Sequence, residues 1–256
     1  MAAPTRVQSN AGAVITATSG VISLTGCVAG NVVIFQICQD GTGAQNVPDT
    51  ITNVETLSGS DNNITQINTP TNSCNIGNPN AGFGSLYIAR VLANGTVSVN
   101  TQPTGGDDLY TQIHEFTNVN TGTTLAAVLE NGTAGVAVDA AATSTSIADV
   151  GVTTLGVDSL ACNFGFINDD ATGIASFAGE TGGDWTMVAS FESATGTDGT
   201  VFLQTAAMAA AGTIDGGADT ITSDGWGVRG FALIGTTVEG PATSLIYPPR
   251  PVRLSL

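Results

Sequence analysis

The chain has 256 residues, with 21 acidic against 5 basic side chains, and a formal charge of −16 at pH 7. The five basic residues are all arginine, so chemistry that needs a lysine, such as a P-loop or a Schiff base, is excluded. The single histidine, His114, excludes a zinc site built from several histidines, and the strong negative charge disfavours nucleic acid as a partner because it repels phosphate.

The composition predicts an all-β protein. Charged residues make up only 10% of the chain, and most of the remaining polar residues are threonine, serine and asparagine. Threonine suits the pleated surface of a strand, whereas glycine and asparagine suit tight turns. Good helix formers are scarce, so we expect very little helix.

The N-terminal third predicts a short arm followed by strands. Residues 1–10 lack an apolar stretch and are predicted to form an N-terminal arm, and residues 13–24 predict one or two strands. The continuous apolar run at 31–39 predicts a central strand, because such a strand is buried on both faces. Residues 41–84 are rich in Asn, Thr and Gly and predict a long insertion with one or two strands.

Neither a secretory signal nor an apolar stretch long enough to cross a membrane is visible in the sequence. We therefore expect folding in a reducing cytoplasm, where buried free thiols are the usual state of cysteine. A disulfide between Cys27 and Cys38 is the alternative that most needs checking.

Three dipeptide turns predict β-hairpins, because Asn-Gly and Asp-Gly favour the tight turns that join antiparallel strands. They are Asn94-Gly95 between 86–93 and 96–100, Asn131-Gly132 between 125–130 and 133–139, and Asp198-Gly199 between 185–191 and 201–207.

Apolar residues alternate with other residues at 160–167, 184–192 and 226–234, which predicts three strands with one apolar face each. Strands without intervening helices indicate an antiparallel β-sandwich, and its length favours a jelly roll. We expect one such domain over residues 11–240, carrying the insertion at 41–84.

Residues 241–256 differ from the rest in composition. They contain four prolines, two arginines and no acidic residue, and they predict an extended C-terminal arm outside the core. A basic arm on an acidic body suits docking on a neighbouring copy. The predicted assembly contacts are Arg6, Tyr247, Arg250 and Arg253.

The candidate chemical sites favour structural interpretations. His114 lies in a predicted strand and is expected to be a structural histidine, and Trp185 and Trp226 lie on apolar strand phases and are expected in the core. Paired carboxylates are expected to be solvated loop charges. Calcium is a weaker possibility for the cluster Asp215, Asp219 and Asp224, since hard cations bind loop carboxylates. No other cofactor is expected.

The C-terminal half resembles β-sandwich structural proteins of tailed, notably marine, bacteriophages, among them head-decoration, fibre and tail proteins. The resemblance spans roughly residues 105–235. It rests on the blocks His114–Asn120, Asp158–Asp170, Gly183–Trp185, Val201–Gly212 and Gly225–Leu233.

The resemblance implies a non-enzymatic virion component that is assembled in the host cytoplasm. We expect a homo-oligomeric capsid decoration protein on the particle exterior, whose partners are its own copies and the major capsid or other virion proteins. The alternatives are a tail fibre or adhesin that binds host glycans, and a glycoside hydrolase or lyase with two carboxylates in a cleft.

Overall fold

Strands joined by loops make up most of the residues that the computed structural model describes. The structure describes residues 2–15, 20–39, 55–56, 65–66, 83–101, 109–122, 124–130, 137–148, 151–154, 158–167, 185–192, 199–208, 210–214 and 218–236.

The N-terminal half of this part consists of β1 (Thr5–Ile15), β2 (Gly20–Cys27), β3 (Val32–Gln39), β4 (Glu55–Thr56), β5 (Thr65–Gln66), β6 (Phe83–Arg90), β7 (Gly95–Thr101) and β8 (Leu109–Thr117). The C-terminal half consists of α1 (Leu125–Val128), β9 (Ala137–Ala148), β10 (Val152–Thr154), β11 (Ser159–Ile167), β12 (Thr186–Glu192), β13 (Thr200–Met208), β14 (Gly212–Ile214) and β15 (Ala218–Leu233).

The strands form four antiparallel sheets, two in each half. The N-terminal main sheet has the order β1-β8-β3-β6-β5, and the N-terminal outer sheet has the order β2-β7-β4. The C-terminal main sheet has the order β12-β13-β11-β15-β9, and the C-terminal outer sheet pairs β10 with β14. The antiparallel all-β fold predicted from composition is therefore confirmed.

Side-chain packing stacks the four sheets as layers, with the two main sheets in the middle. One core cluster joins the main sheets and includes Ile34, Phe116, Phe164 and Phe231. A second joins the N-terminal main and outer sheets, and a third joins the C-terminal main and outer sheets. Each main sheet is thus covered on both faces, where the sequence predicted a single two-sheet sandwich.

Strand β3 shows how the sequence produces this layering. Successive side chains of a strand point to opposite faces. Val32 and Ile34 face the C-terminal main sheet, whereas Val33 and Phe35 face the outer sheet. A continuous apolar run therefore serves two cores at once, and the prediction of a central strand at 31–39 is confirmed.

Strand pairing is nested in each half. In the N-terminal half β1 pairs with β8, β2 with β7 and β3 with β6, and in the C-terminal half β9 pairs with β15, β10 with β14 and β11 with β13. Nested antiparallel pairs folded over two sheets are the arrangement expected of a jelly roll. The two halves also share one main-sheet order, since β1, β8, β3, β6 and β5 correspond to β9, β15, β11, β13 and β12.

The duplication extends to matched rows of residues. The row His114–Ile34–Ile88 across the N-terminal main sheet corresponds to Arg229–Phe164–Leu203 in the C-terminal one. The two halves therefore face each other through equivalent surfaces.

Two of the predicted hairpins are wrong. Asn94-Gly95 connects β6 and β7, which lie in different sheets, so this turn crosses between layers. Residues 125–128, predicted as a strand, form the helix α1, and residues 131–136 lie outside the described residues. The strand pairing of the third hairpin is confirmed, because β12 pairs with β13 from Thr186–Thr205 to Glu192–Thr200. The predicted Asp198-Gly199 turn is not tested, because residues 193–198 lie outside the described residues.

The N-terminal prediction also needs correction. Most of the arm expected at 1–10 belongs to β1, which pairs with β8 from Thr5 onward. β1 is an edge strand of the N-terminal main sheet, and its sequence lacks the continuous apolar run of a strand buried on both faces. Short strands β4 and β5 agree with the prediction for 41–84, most of which lies outside the described residues, as does the arm at 241–256.

Candidate functional site

Three neighbouring polar side chains lie in the core between the two main sheets. Gln112 Nε2 donates to Gln36 Oε1 and also to the carbonyl oxygen of Phe202, at 2.9 Å, in the opposite sheet. Gln36 Nε2 donates to the carbonyl oxygen of Gly165, 3.1 Å away, likewise in the opposite sheet. These amides therefore join the two halves of the molecule with directed hydrogen bonds, and directed bonds specify how two sheets align.

His114 ends this network. Its Nε2 lies 2.8 Å from Gln112 Oε1, and the Gln112 amide nitrogen is already donating elsewhere, so the proton belongs on Nε2. The ring meets Phe164 edge-on, with centroids 5.8 Å apart. Burial, helped by the positive charge of Arg6, lowers the pKa of His114 to about 3. The histidine is therefore neutral and structural, as the sequence predicted.

Arg229 occupies the position equivalent to His114 in the other half. It is 2% exposed, and its three guanidinium nitrogens have no hydrogen-bond partner among the described residues. A buried, unpaired cation is costly, because the desolvation of its charge is not offset. No sequence signal marks this residue, since an arginine in a Gly-rich strand resembles an ordinary surface arginine.

A second polar cluster lies between the N-terminal main and outer sheets, around the fully buried Glu115. Its Oε2 accepts from Gln8 Nε2 at 2.6 Å, and its Oε1 accepts from Asn31 Nδ2 at 2.7 Å and from the Val28 amide at 2.8 Å. The nearby Cys27 thiol has a raised pKa, first because it is buried and then because of the Glu115 carboxylate. This cluster fixes the start of the loop at residues 28–31.

The loop at 28–31 is held from its other side as well. The Ala29 amide donates to Asn94 Oδ1 at 2.8 Å, the Gly30 amide donates to the Val91 carbonyl at 2.8 Å, and Arg90 Nη1 donates to the Gly30 carbonyl. Gly30 has a φ of +90°, which is open to glycine but strained for other residues. Hydrogen bonds with Glu115, Asn94, Val91 and Arg90 hold this loop in place, so its surface is preorganised.

Large apolar side chains are exposed beside this loop. Val7, Val28 and Leu92 are 52%, 49% and 61% exposed. The Val28 amide itself donates to Glu115, Val7 precedes Gln8 in β1, and Leu92 follows Val91, whose carbonyl accepts from the Gly30 amide. These three residues lie where β1 and β3 begin and β6 and β8 finish, which we call the proximal end.

The proximal end also holds both ends of the described chain. Ala2 pairs with Thr236, and the Thr236 amide donates to the Asn118 carbonyl just after β8.

The predicted assembly residues are only partly placed. Arg6 lies in β1 at the proximal end, half-buried, and its Nη1 donates to Ser9 Oγ at 2.7 Å. Tyr247, Arg250 and Arg253 lie outside the described residues.

The calcium candidates do not form the predicted loop. Asp219 and Asp224 belong to β15, and Asp215 lies outside the described residues. Within the described ranges, no three His, Cys, Asp or Glu side chains are grouped closely enough to hold a metal ion. In the same ranges no helix has the length and apolarity needed to cross a membrane.

The tryptophans and thiols lie as the sequence predicted. Trp185 and Trp226 are 6% and 3% exposed, so core packing is confirmed. Cys27, Cys38 and Cys162 are buried and form no disulfide within the described residues, and Cys74 lies outside them. Sequence reasoning missed Glu115, because its bonds to Val28 and Asn31 join segments more than 80 positions apart.

No protein-family model, curated protein or solved structure matches this chain.

Proposed function

We propose that this chain is a non-enzymatic structural protein of a bacteriophage virion, which decorates the capsid exterior as a homo-oligomer. The sequence resemblance to phage β-sandwich proteins is the starting point of the proposal. The strongly acidic composition suits a protein displayed in many copies, since like charges oppose aggregation and binding to DNA.

One observation carries the proposal: the buried polar side chains between the main sheets are engaged within the fold. His114, Gln112 and Gln36 bond to one another or to main-chain carbonyls inside the core, so their chemistry maintains the fold. Val7, Val28 and Leu92, by contrast, are exposed at the proximal end, where Ala2 pairs with Thr236. This distribution supports a structural role better than turnover of a substrate.

The location is tested by immunogold labelling of purified virions with antibodies raised against the recombinant chain. Labelling of the head, together with a copy number in the hundreds by quantitative mass spectrometry, is the expected result. Labelling of the tail with a few copies would overturn decoration and support the tail-fibre alternative. Particles that lack the chain altogether would overturn the virion role.

The glycan-binding alternative has a separate test. A tail adhesin is expected to offer exposed aromatic rings to sugars, but Trp185 and Trp226 are both buried. A glycan array probed with the labelled chain is therefore expected to show no saturable binding. Saturable binding to host surface sugars would replace the decoration proposal with the adhesin.

A further inference from the structure

The fold leaves the buried charge of Arg229 without a partner among the described residues. Arg229 lies in β15 directly opposite Phe164 of β11, so its side chain lies on the face that packs between the two main sheets. Its Nε, Nη1 and Nη2 atoms are buried, and none of them has a hydrogen-bond partner in the described part of the chain. A guanidinium keeps its proton at any ordinary pH, so the cost of burial cannot be relieved by loss of the charge.

The residues next to Arg229 on this sheet supply no acceptor side chain. Four residues occupy the adjacent positions, namely Gly227 and Phe231 along β15, Phe164 on β11 and Val138 on β9. None of these four has a polar side-chain atom. The contrast with His114 is direct, because the residue two positions before His114 is Gln112, which bonds to it, whereas the residue two positions before Arg229 is a glycine.

The buried carboxylates of the described residues are engaged elsewhere. Glu115 lies between the N-terminal main and outer sheets and accepts hydrogen bonds within its own cluster, and Glu130 accepts from Ser159. No hydrogen bond joins either carboxylate to Arg229. The described part of the chain therefore does not supply the negative charge that a buried guanidinium requires.

The partner that Arg229 lacks has a defined chemistry. A water molecule would accept hydrogen bonds from the guanidinium, but it would leave the charge uncompensated in an apolar core. A phosphate or sulfate ion carries several acceptor oxygens and needs further donors, which the four adjacent side chains do not offer. A small monovalent anion balances one guanidinium and needs no other donor. Chloride meets these requirements.

We propose that Arg229 binds one chloride ion in the core between the two main sheets, as a structural component of the folded chain. The guanidinium donates its N–H groups to the ion, and the apolar residues around it exclude water from the pair. Because the side chain is 2% exposed, the ion is released when the chain unfolds, and chloride concentration is thereby linked to stability. This role is separate from the proposed function on a virion.

The first test is urea unfolding of the full chain in mixtures of sodium chloride and sodium gluconate at one ionic strength. Fixed ionic strength is needed because added salt of any kind screens the repulsion within a chain of charge −16. Once chloride exceeds its dissociation constant, each tenfold rise should lower the unfolding equilibrium constant by about tenfold, as expected for one released ion. A wild-type unfolding constant that does not respond to chloride would overturn the proposal.

Two variants assign the effect to this residue. Arg229→Met keeps an unbranched side chain without the charge, and its unfolding constant should not change with chloride. Arg6→Met is the matched control, because it removes the same charge from β1 but retains Arg229, and it should respond as the wild-type chain does. A chloride response that persists in Arg229→Met, or that disappears in Arg6→Met as well, would contradict the assignment.

A direct measurement keeps the proposal testable if Arg229→Met does not fold. Crystals of the wild-type chain are grown in sodium bromide, and diffraction data are collected at the bromine absorption edge. We expect an anomalous peak within hydrogen-bond distance of the Arg229 guanidinium. Anomalous peaks confined to the protein surface, or none at all, would overturn the buried anion.

Discussion

Two equivalent positions, His114 and Arg229, show how a duplicated fold treats buried polar residues differently. His114 has a partner in Gln112 and is neutral, whereas Arg229 is buried without a hydrogen-bond partner among the described residues. The position itself lies in the row that contains Ile34 in one half and Phe164 in the other. The same row therefore holds a hydrogen-bonded polar side chain in one half and, within the described residues, an unbonded one in the other.

The histidine makes stability depend on pH. Its pKa falls from 6.5 to about 3 on folding, so the unfolded chain binds more protons between these values. The contribution of His114 is therefore complete above about pH 6.5 and declines as the pH falls towards 3. The free energy of unfolding of the wild-type chain is compared with that of His114→Gln. We expect this difference to be about 2–3 kcal/mol less favourable to the wild-type chain at pH 4.5 than at pH 7.5.

Urea unfolding of both proteins at the two pH values measures this difference. Glutamine retains a donor for Gln112 but does not titrate, and the carboxylates are the same in both chains, so their effects cancel. Parallel pH profiles for the two proteins would contradict the assignment of a buried neutral histidine.

Glu115 is the second buried residue for which a substitution has a specific expected effect on stability. In Glu115→Gln an amide NH2 replaces one acceptor oxygen and faces the donors of Gln8, Asn31 or Val28. We expect a loss of about 1–3 kcal/mol and faster hydrogen exchange of the Val28 amide. Glu130→Gln is the control, because Glu130 accepts from Ser159 elsewhere in the fold, and it should leave exchange at Val28 unchanged.

At the scale of elements, the sequence predicts strands better than it predicts their partners. The runs that became β3, β11 and β13 are evident from local apolar patterns. The pairing of β1 with β8 is not evident, because it joins segments about a hundred residues apart with no local turn signal. The hairpin prediction at Asn94-Gly95 was wrong for the same reason, because a turn dipeptide does not specify whether the next strand stays in the same sheet.

The candidate site was less predictable than the fold. Arg6 was predicted from charge as an assembly contact, and that role stays a prediction. The exposure of Val7, Val28 and Leu92 was not predicted, because they look like ordinary strand residues in the sequence. Helix α1 was missed because Leu125–Val128 is too short for a helical period to appear.

Strand β11 depends on a glycine. A Cβ on Gly165 would lie 1.9 Å from the nearest atom of the Phe202 ring, which covers this position from the paired strand. We expect Gly165→Ala to destabilise the protein by about 1–3 kcal/mol, because the ring must move within a packed core. Gly212→Ala, with its nearest contact at 3.6 Å, is the control and should change the urea midpoint little. Similar midpoints for both variants would argue against close packing at β11.

At the scale of the whole molecule, the two halves share one core. Ile34 from the N-terminal half and Phe164 from the C-terminal half belong to the same buried cluster. Neither half covers that surface alone, so we expect the chain to unfold in one cooperative transition.

The substitution Ile34→Ala tests whether the two halves unfold together. Both tryptophans, Trp185 and Trp226, belong to the C-terminal half, yet we expect this N-terminal substitution to lower stability measured by tryptophan fluorescence by about 2–4 kcal/mol. Circular dichroism should report the same midpoint. A fluorescence transition that ignores the substitution would mean that the halves unfold separately.

The duplication has one more consequence. Two separate copies of a half-sized protein would have to meet before their main sheets could pack, and dilution would part them. In this chain the segment between β8 and β9 joins the halves covalently, so the second half is always present at a high effective concentration. The packing between the two main sheets therefore does not depend on protein concentration, whereas contacts between separate copies of the chain do.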